Sequence, residues 1–154
     1  MSKSSTVYVA GDHHAEPALA RIRSFLLSAG HDYREFGYQG GVDPTARLQD
    51  FIPKVAEAVR GEVGSSGILV CGTGVGVEIG ANRFRGIRAS LCATPKYAEW
   101  ARTYDEANVL CLASWALENM ELEAILRSWF HTQYDGDTAR RELFRTFDSW
   151  AGPT

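Results

Sequence analysis

The apolar run Ile68-Leu69-Val70 passes straight into Cys71-Gly72-Thr73-Gly74-Val75-Gly76, and a buried strand that leaves the core through glycines leaves a chain few ways to fold. Apolar side chains on both faces indicate a strand covered above and below, as in a parallel sheet. Glycines at 72, 74 and 76 let the backbone turn sharply and come close to a bound group. Val77 to Asn82 read as the first turns of a helix. The unpaired amides of such a turn and the positive end of the helix dipole then converge on the Cys71 thiol, a setting that favours a thiolate and can hold an oxyanion. The plainer reading is a tight strand-to-helix turn with a core cysteine beside it.

The rest of the chain repeats this alternation. Thr6 to Ala10 reads as a buried strand that stops at Gly11-Asp12-His13-His14; a helix follows from Pro17, with Leu19, Ile22, Leu26 and Ala29 at helical spacing and Gly30 placed to end it. Tyr33 to Phe36 is a short strand and Tyr38 to Pro44 a loop, after which Leu48, Phe51, Ile52, Val55, Ala56 and Val59 share one helix face. Beyond the glycine turn the spacing predicts a strand from Ile87 to Ala93, a helix from Pro95 to Tyr104 and a strand from Ala107 to Ala113. Helices over about 117–130 and about 138–150 complete the pattern. The product is an α/β fold with a five-stranded parallel sheet covered on both sides. Ligands of such sheets bind beyond the carboxyl ends of the strands, where strand order reverses. If the first and third strands are neighbours, Asp12-His13 and Cys71-Gly72-Thr73 share one crevice.

A chain of 154 residues, 45% hydrophobic, supports one well-filled core, so a single domain over 1–154 is expected. The formal charge of −3 gives no broad attraction to nucleic acid or to an anionic membrane, which points to a small molecule or a second copy of the chain as partner. Cysteines at 71, 92 and 111 lack the paired spacing of a metal site, and neither a signal-type apolar stretch nor a run of membrane-spanning length is present. A cytoplasmic protein with reduced thiols is expected. Leu143, Phe144, Phe147 and Trp150 form an apolar stripe on the last helix, and because the sheet has helices enough to cover it, the helix at 138–150 is expected at a subunit interface.

The order strand, Asp12-His13, long helix, strand, helix, then Gly67 to Gly76, Ala81-Asn82-Arg83, Gly86-Ile87-Arg88-Ala89 and Ala107-Asn108-Val109-Leu110 resembles the ribose-5-phosphate isomerase B and galactose-6-phosphate isomerase family over nearly the whole chain. The resemblance implies a Rossmann-like three-layer sandwich, a homodimer or dimer of dimers, and an aldose-ketose isomerase of a small sugar or sugar phosphate that uses neither metal nor organic cofactor. Carried over residue by residue, it makes Cys71 the base and Thr73 a loop hydroxyl that helps hold the substrate. Gly72, Gly74, Val75 and Gly76 become the loop that stabilises an enediolate, Asp12 and His13 the pair that reaches the sugar, and Asn108 a matching asparagine of the next strand. Some members carry a glutamate base just after the glycine loop; that position is Val77 here, and Glu78 is turned roughly a quarter of a circle from it.

The departures from the family pattern bear on the substrate. Its ring-opening histidine corresponds to Tyr104, and a phenol is a poorer base than imidazole near neutral pH. The phosphate arginine after the fifth strand corresponds to Trp115, and the two near the C-terminus to Thr138 and Glu142, with Arg140 and Arg141 as near neighbours in register. An acidic-aromatic-proline segment is replaced by Arg47-Leu48-Gln49. Losing guanidinium forks weakens the hold on a phosphate. Either the substrate lacks one, or His14, Arg88, Arg140 or Arg141 meets its anion; Trp115 suits stacking on the apolar face of a sugar, or a place in a core or interface. Two other functions compete. Gly74-x-Gly76-x-x-x-Gly80 after a strand fits a dinucleotide site, although it follows the third strand and no acidic residue ends the next. A sugar-binding relative that has lost catalysis would bind without exchanging substrate protons.

Overall fold

The computed structural model describes residues 5–150, so residues 1–4 and 151–154 of the expected 1–154 domain lie outside the described residues. Five strands, β1 (Val7–Gly11), β2 (Tyr33–Gly37), β3 (Ser66–Cys71), β4 (Ala89–Leu91) and β5 (Val109–Ala113), pair in parallel in the order β2-β1-β3-β5-β4. The helices are α1 (Glu16–Ser28), α2 (Leu48–Gly61), α3 (Val75–Ala81), α4 (Pro95–Asp105), α5 (Leu122–His131) and α6 (Thr138–Trp150). β1 is flanked by β2 and β3, so strand order reverses between β1 and β3, and Asp12 and Cys71 stand side by side at that point.

Side chains alternate along the strands and build two cores. Val7, Val9, Ile68, Val70, Leu110 and Leu112 pack with α1, α4 and α5 around Trp129; Ala10, Leu69, Cys71, Val109 and Cys111 pack with α2 and α3. Both faces are covered, which is why the strands are apolar throughout, and the fold is the expected Rossmann-like three-layer sandwich.

Two elements differ from the sequence-based spans. β4 is shorter than Ile87–Ala93: it is an edge strand paired only with β5, and side chains occupy its open side. The Asn82 amide accepts from the Ala89 N–H at 2.8 Å and donates to the Ala89 carbonyl at 2.9 Å, while Glu78 Oε1 accepts from the Leu91 N–H at 2.8 Å. The helix expected over 117–130 starts only at Leu122, after a 3-10 turn at Ser114–Asn119. The chain leaving β5 is committed to the glycine loop first: Trp115 N–H donates to Gly72 O at 3.0 Å and Ser114 Oγ to Cys71 O at 3.2 Å.

Helix α6 spans the expected residues and joins the body at its edges. Arg141 pairs with Glu106, Asp148 Oδ1 accepts from the Gly86 N–H at 2.8 Å, and Arg88 lies 5.3 Å from the Phe144 ring centre. Leu143, Phe147 and Trp150 remain exposed. Among the described residues no helix is long and apolar enough to cross a membrane.

Candidate active site

The glycine turn holds the thiol against the start of α3. Gly74 takes φ +71°, a left-handed conformation that only glycine adopts without cost, and α3 begins at the next residue. Cys71 Sγ lies 4.0 Å from the point where a Cβ on Gly76 would stand, so the sulfur faces the first turn of α3, whose amides lack intrahelical acceptors. The Thr73 hydroxyl accepts from the Val75 N–H at 3.2 Å and keeps its own proton to donate. Cys71 is 5% exposed.

Asp12 leaves β1 one step past Gly11, which pairs with Val70, and so lies beside Cys71 about 4.8 Å across the sheet. It is 9% exposed; Oδ1 accepts from the His14 N–H at 3.0 Å, capping the 3-10 turn His13–Ala15. Among the described residues Oδ2 accepts no hydrogen bond. The His13 and His14 rings stand 3.9 Å apart, and His14 meets Trp115 edge-on at 5.6 Å. The Trp115 indole covers Gly72: ring atoms lie 2.4 to 2.8 Å from where a Cβ would be. A cleft of about 570 Å³ runs between Asp12-His13-His14 and the loop from Pro44 to Gln49. Cys71 is not part of its wall. Leu48, which is, meets the thiol at Gly76, where its Cδ2 lies 2.9 Å from the same Cβ position.

The remaining residues picked out by sequence stand at the other end of the sheet. Asn108 precedes β5, and Cys71 pairs with Ala113, so the two are separated by five residues of strand, about 16 Å. Both ends of the Asn108 amide serve the backbone: Oδ1 accepts from Arg88 N–H and Nδ2 donates to Gly86 O, each at 2.8 Å. Tyr104 ends α4, which runs back from the carboxyl edge to the amino edge. Arg140 stacks 5.2 Å from the Tyr104 ring centre and pairs with Asp135; Arg141 lies 4.8 Å from the Tyr134 ring centre and bonds Glu106 at 2.7 and 3.1 Å. These arginines hold the Asp135 and Glu106 carboxyls below the usual range. One chain therefore carries two groups: Asp12, His13, Cys71, Gly72, Thr73, Gly74, Val75, Gly76 and Trp115 at the carboxyl edge, and Tyr104, Asn108, Arg140 and Arg141 at the amino edge. A second cavity, of about 880 Å³, reaches that second edge and is lined there by Arg88, Arg102, Glu106, Asn108 and Tyr134.

Sequence reasoning passed over Ser114 and the acidic partners Glu106 and Asp135, and it named Arg47-Leu48-Gln49 as a departure from the family pattern without placing it in the cleft loop Pro44 to Gln49. The loop had a signal, since it lies between the second strand and a helix start and so falls at the carboxyl edge. Glu78 is committed to Leu91. Burial pushes the Cys92 thiol up to about 11 and Cys111 well above its usual range, leaving both protonated at neutral pH.

Fold and geometry define the class: a doubly wound α/β protein with a thiol and a glycine turn at the switch point of its sheet. The family profile described as Ribose/Galactose Isomerase matches residues 7–144, and the chain belongs to that family. It is thus an aldose-ketose isomerase of the ribose-5-phosphate isomerase B type. It is 41% identical to ribose-5-phosphate isomerase B of Escherichia coli over 86 residues, 56% of this chain and 58% of that protein. It is 32% identical to a probable ribose-5-phosphate isomerase B of Mycoplasma pneumoniae over 88% of this chain and 89% of that one. The solved structure of ribose-5-phosphate isomerase B from Mycoplasma genitalium with bound ribulose-5-phosphate superposes with a TM-score of 0.82 at 28% identity, covering 97% of this chain and 99% of that one.

Proposed function

We propose that this chain moves the carbonyl of a small sugar, or of its phosphate ester, between neighbouring carbons through an enediolate made beside Cys71, and that a second copy completes each site. The Cys71 thiolate takes the proton from the carbon next to the carbonyl, and the bonding electrons pass to the carbonyl oxygen. The amides of Gly74 and Gly76 and the Thr73 hydroxyl, which accepts from the Val75 N–H and so is polarised to donate its own proton, supply donors for the charge that develops there, when it is largest. Asp12 relays the hydroxyl proton between the two oxygens, and the thiol returns its proton to the neighbouring carbon. His13 contacts the sugar, and Tyr104 assists ring opening. The single observation that carries this reading is the placement of Cys71 Sγ at the first turn of α3, level with Asp12 across β1 and β3.

The case for a second copy is geometric. Tyr104, Arg140 and Arg141 lie at the far edge from Cys71, too distant to serve a substrate held by the same chain. Apolar side chains remain exposed beside each group, Val75 and Ile79 on α3 near the thiol and Leu143, Phe147 and Trp150 on α6 near Tyr104. A two-fold axis that sets one patch on the other brings the partner's amino edge to this chain's cleft, twice per dimer. The helix at 138–150 then lies at the interface. Three free thiols fit the reducing cytoplasm as the place where this occurs.

Mixing two inactive variants tests the arrangement. In a Cys71→Ala and Tyr104→Ala hybrid, one of the two sites keeps both residues, so a refolded equimolar mixture recovers about a quarter of wild-type activity. No recovery, with hybrids shown to form, contradicts the shared site.

A further inference from the structure

Arg47 has no structural duty that its position explains. It stands at the N-cap of α2, with φ −115° and ψ 157°, where a helix is served by a side-chain oxygen that accepts from the first amides. A guanidinium has only donors and caps nothing, so Asp50 reaches back instead and accepts from the Arg47 N–H at 3.2 Å. The positive end of the helix dipole disfavours a cation there as well. Among the described residues the exposed Arg47 side chain donates no hydrogen bond and meets no carboxylate, whereas Arg21, Arg23, Arg88, Arg140 and Arg141 are each paired. Arg47 is nonetheless in the wall of the cleft with Asp12, His13 and His14, and is the one permanent cation that this chain places there. Leu48, the next residue, touches the first turn of α3 beside the thiol.

We infer that Arg47 is a specificity-determining residue: its guanidinium, beside His13 and His14, takes the phosphate of a sugar-phosphate substrate and so holds the ester from the same chain that carries the thiol. This rests on the reading of the cleft as the sugar site. With the reacting carbons at Cys71, the substrate extends past Leu48 toward Arg47, and a guanidinium fork there meets two phosphate oxygens at once. The arginines that a second copy brings to the cleft, Arg140 and Arg141, arrive already paired with Asp135 and Glu106, so Arg47 is the cation whose charge is not yet offset. A charge-assisted contact of this kind selects the ester over the free sugar by about tenfold to a hundredfold.

The test compares kcat/KM for ribose 5-phosphate and ribose in the wild-type chain, Arg47→Lys and Arg47→Ser. The ratio of ester to free sugar is expected to fall about tenfold to a hundredfold in Arg47→Ser, and by less in Arg47→Lys, which keeps the charge without the fork. Arg47→Ser is also expected to melt no lower than wild type, because serine supplies the cap that arginine lacks. A ratio unchanged or raised in Arg47→Ser overturns the inference, and so does a lowered melting point, which assigns the arginine to the fold. Binding of ribitol 5-phosphate and ribitol to the wild-type chain and Arg47→Ser is measured by calorimetry as a readout that needs no turnover. Weaker binding of the ester relative to ribitol in Arg47→Ser supports the inference even if Cys71→Ala proves fully active and the catalytic reading falls; equal binding of the ester overturns it whatever the fate of Cys71.

Discussion

Gly74→Ala puts a methyl group where the structure has no room and the backbone no tolerance. Gly74 holds φ +71°, and a side chain in a left-handed conformation costs about 1–2 kcal/mol. The new Cβ meets Leu91 Cδ1 at 2.6 Å, which can swing aside, but also Leu112 C at 2.9 Å and Ala113 N at 3.0 Å, which belong to the backbone of a strand paired on both sides. Overpacking of this kind adds about 1–3 kcal/mol, for a total of about 2–5 kcal/mol. In a chain of 154 residues that lowers the midpoint of thermal unfolding by on the order of 10 °C, read by calorimetry at matched protein concentration. Gly72→Ala is the control, since its obstruction is the exposed Trp115 ring, which can move away; about 1 kcal/mol or less is expected. If Gly74→Ala melts within about 2 °C of wild type, or no lower than Gly72→Ala, the left-handed turn against β5 is not what shapes the loop.

Two further outcomes follow from the thiols and the ion pairs. Iodoacetamide at pH 8 should label Cys71 alone, because burial keeps Cys92 and Cys111 protonated, and a bound sugar should slow the reaction while Leu48→Ala speeds it; adducts on Cys92 or Cys111 at a similar rate contradict this. Arg141 and Arg140 hold the Glu106 and Asp135 carboxyls low, so the tether of α6 is intact above the ordinary carboxylate range, about pH 4, and is lost as pH falls through the lowered values. Glu106→Gln should therefore loosen α6 at neutral pH, with a roughly two- to fivefold fall in amide exchange protection. Unchanged protection in that variant, or no loosening in acid, refutes the tether.

The layered fold was legible because apolar runs and helical spacing report burial directly. Ile68-Leu69-Val70 cannot alternate with solvent, and Leu48 to Val59 has one wet face, so element type followed; the neighbourhood of Asp12 and Cys71 was conditional on β1 lying beside β3, which the sheet order supplies. What was hidden depends on which end of the sheet a residue reaches. Asn108 and Cys71 are both next to apolar runs, and only strand direction and register separate them. Arg140 and Arg141 offered cations in sequence, while their partners Asp135 and Glu106 are set by how α6 meets the end of α4. β4 fell short of its apolar run because hydrogen bonds from Asn82 and Glu78, seven and thirteen residues away, define its edge.

The central claim is that the Cys71 sulfur moves a proton at a carbon next to a carbonyl. Incubating the protein with ribose or ribose 5-phosphate in deuterated water and following the hydrogens on the first two carbons by NMR tests this most directly. The wild-type chain is expected to place deuterium there as aldose and ketose interconvert, and Cys71→Ala, folded by circular dichroism, to place almost none. Exchange at near wild-type rates in Cys71→Ala, or isomerisation by the wild type in which Cys71 labelling has no effect, contradicts the account.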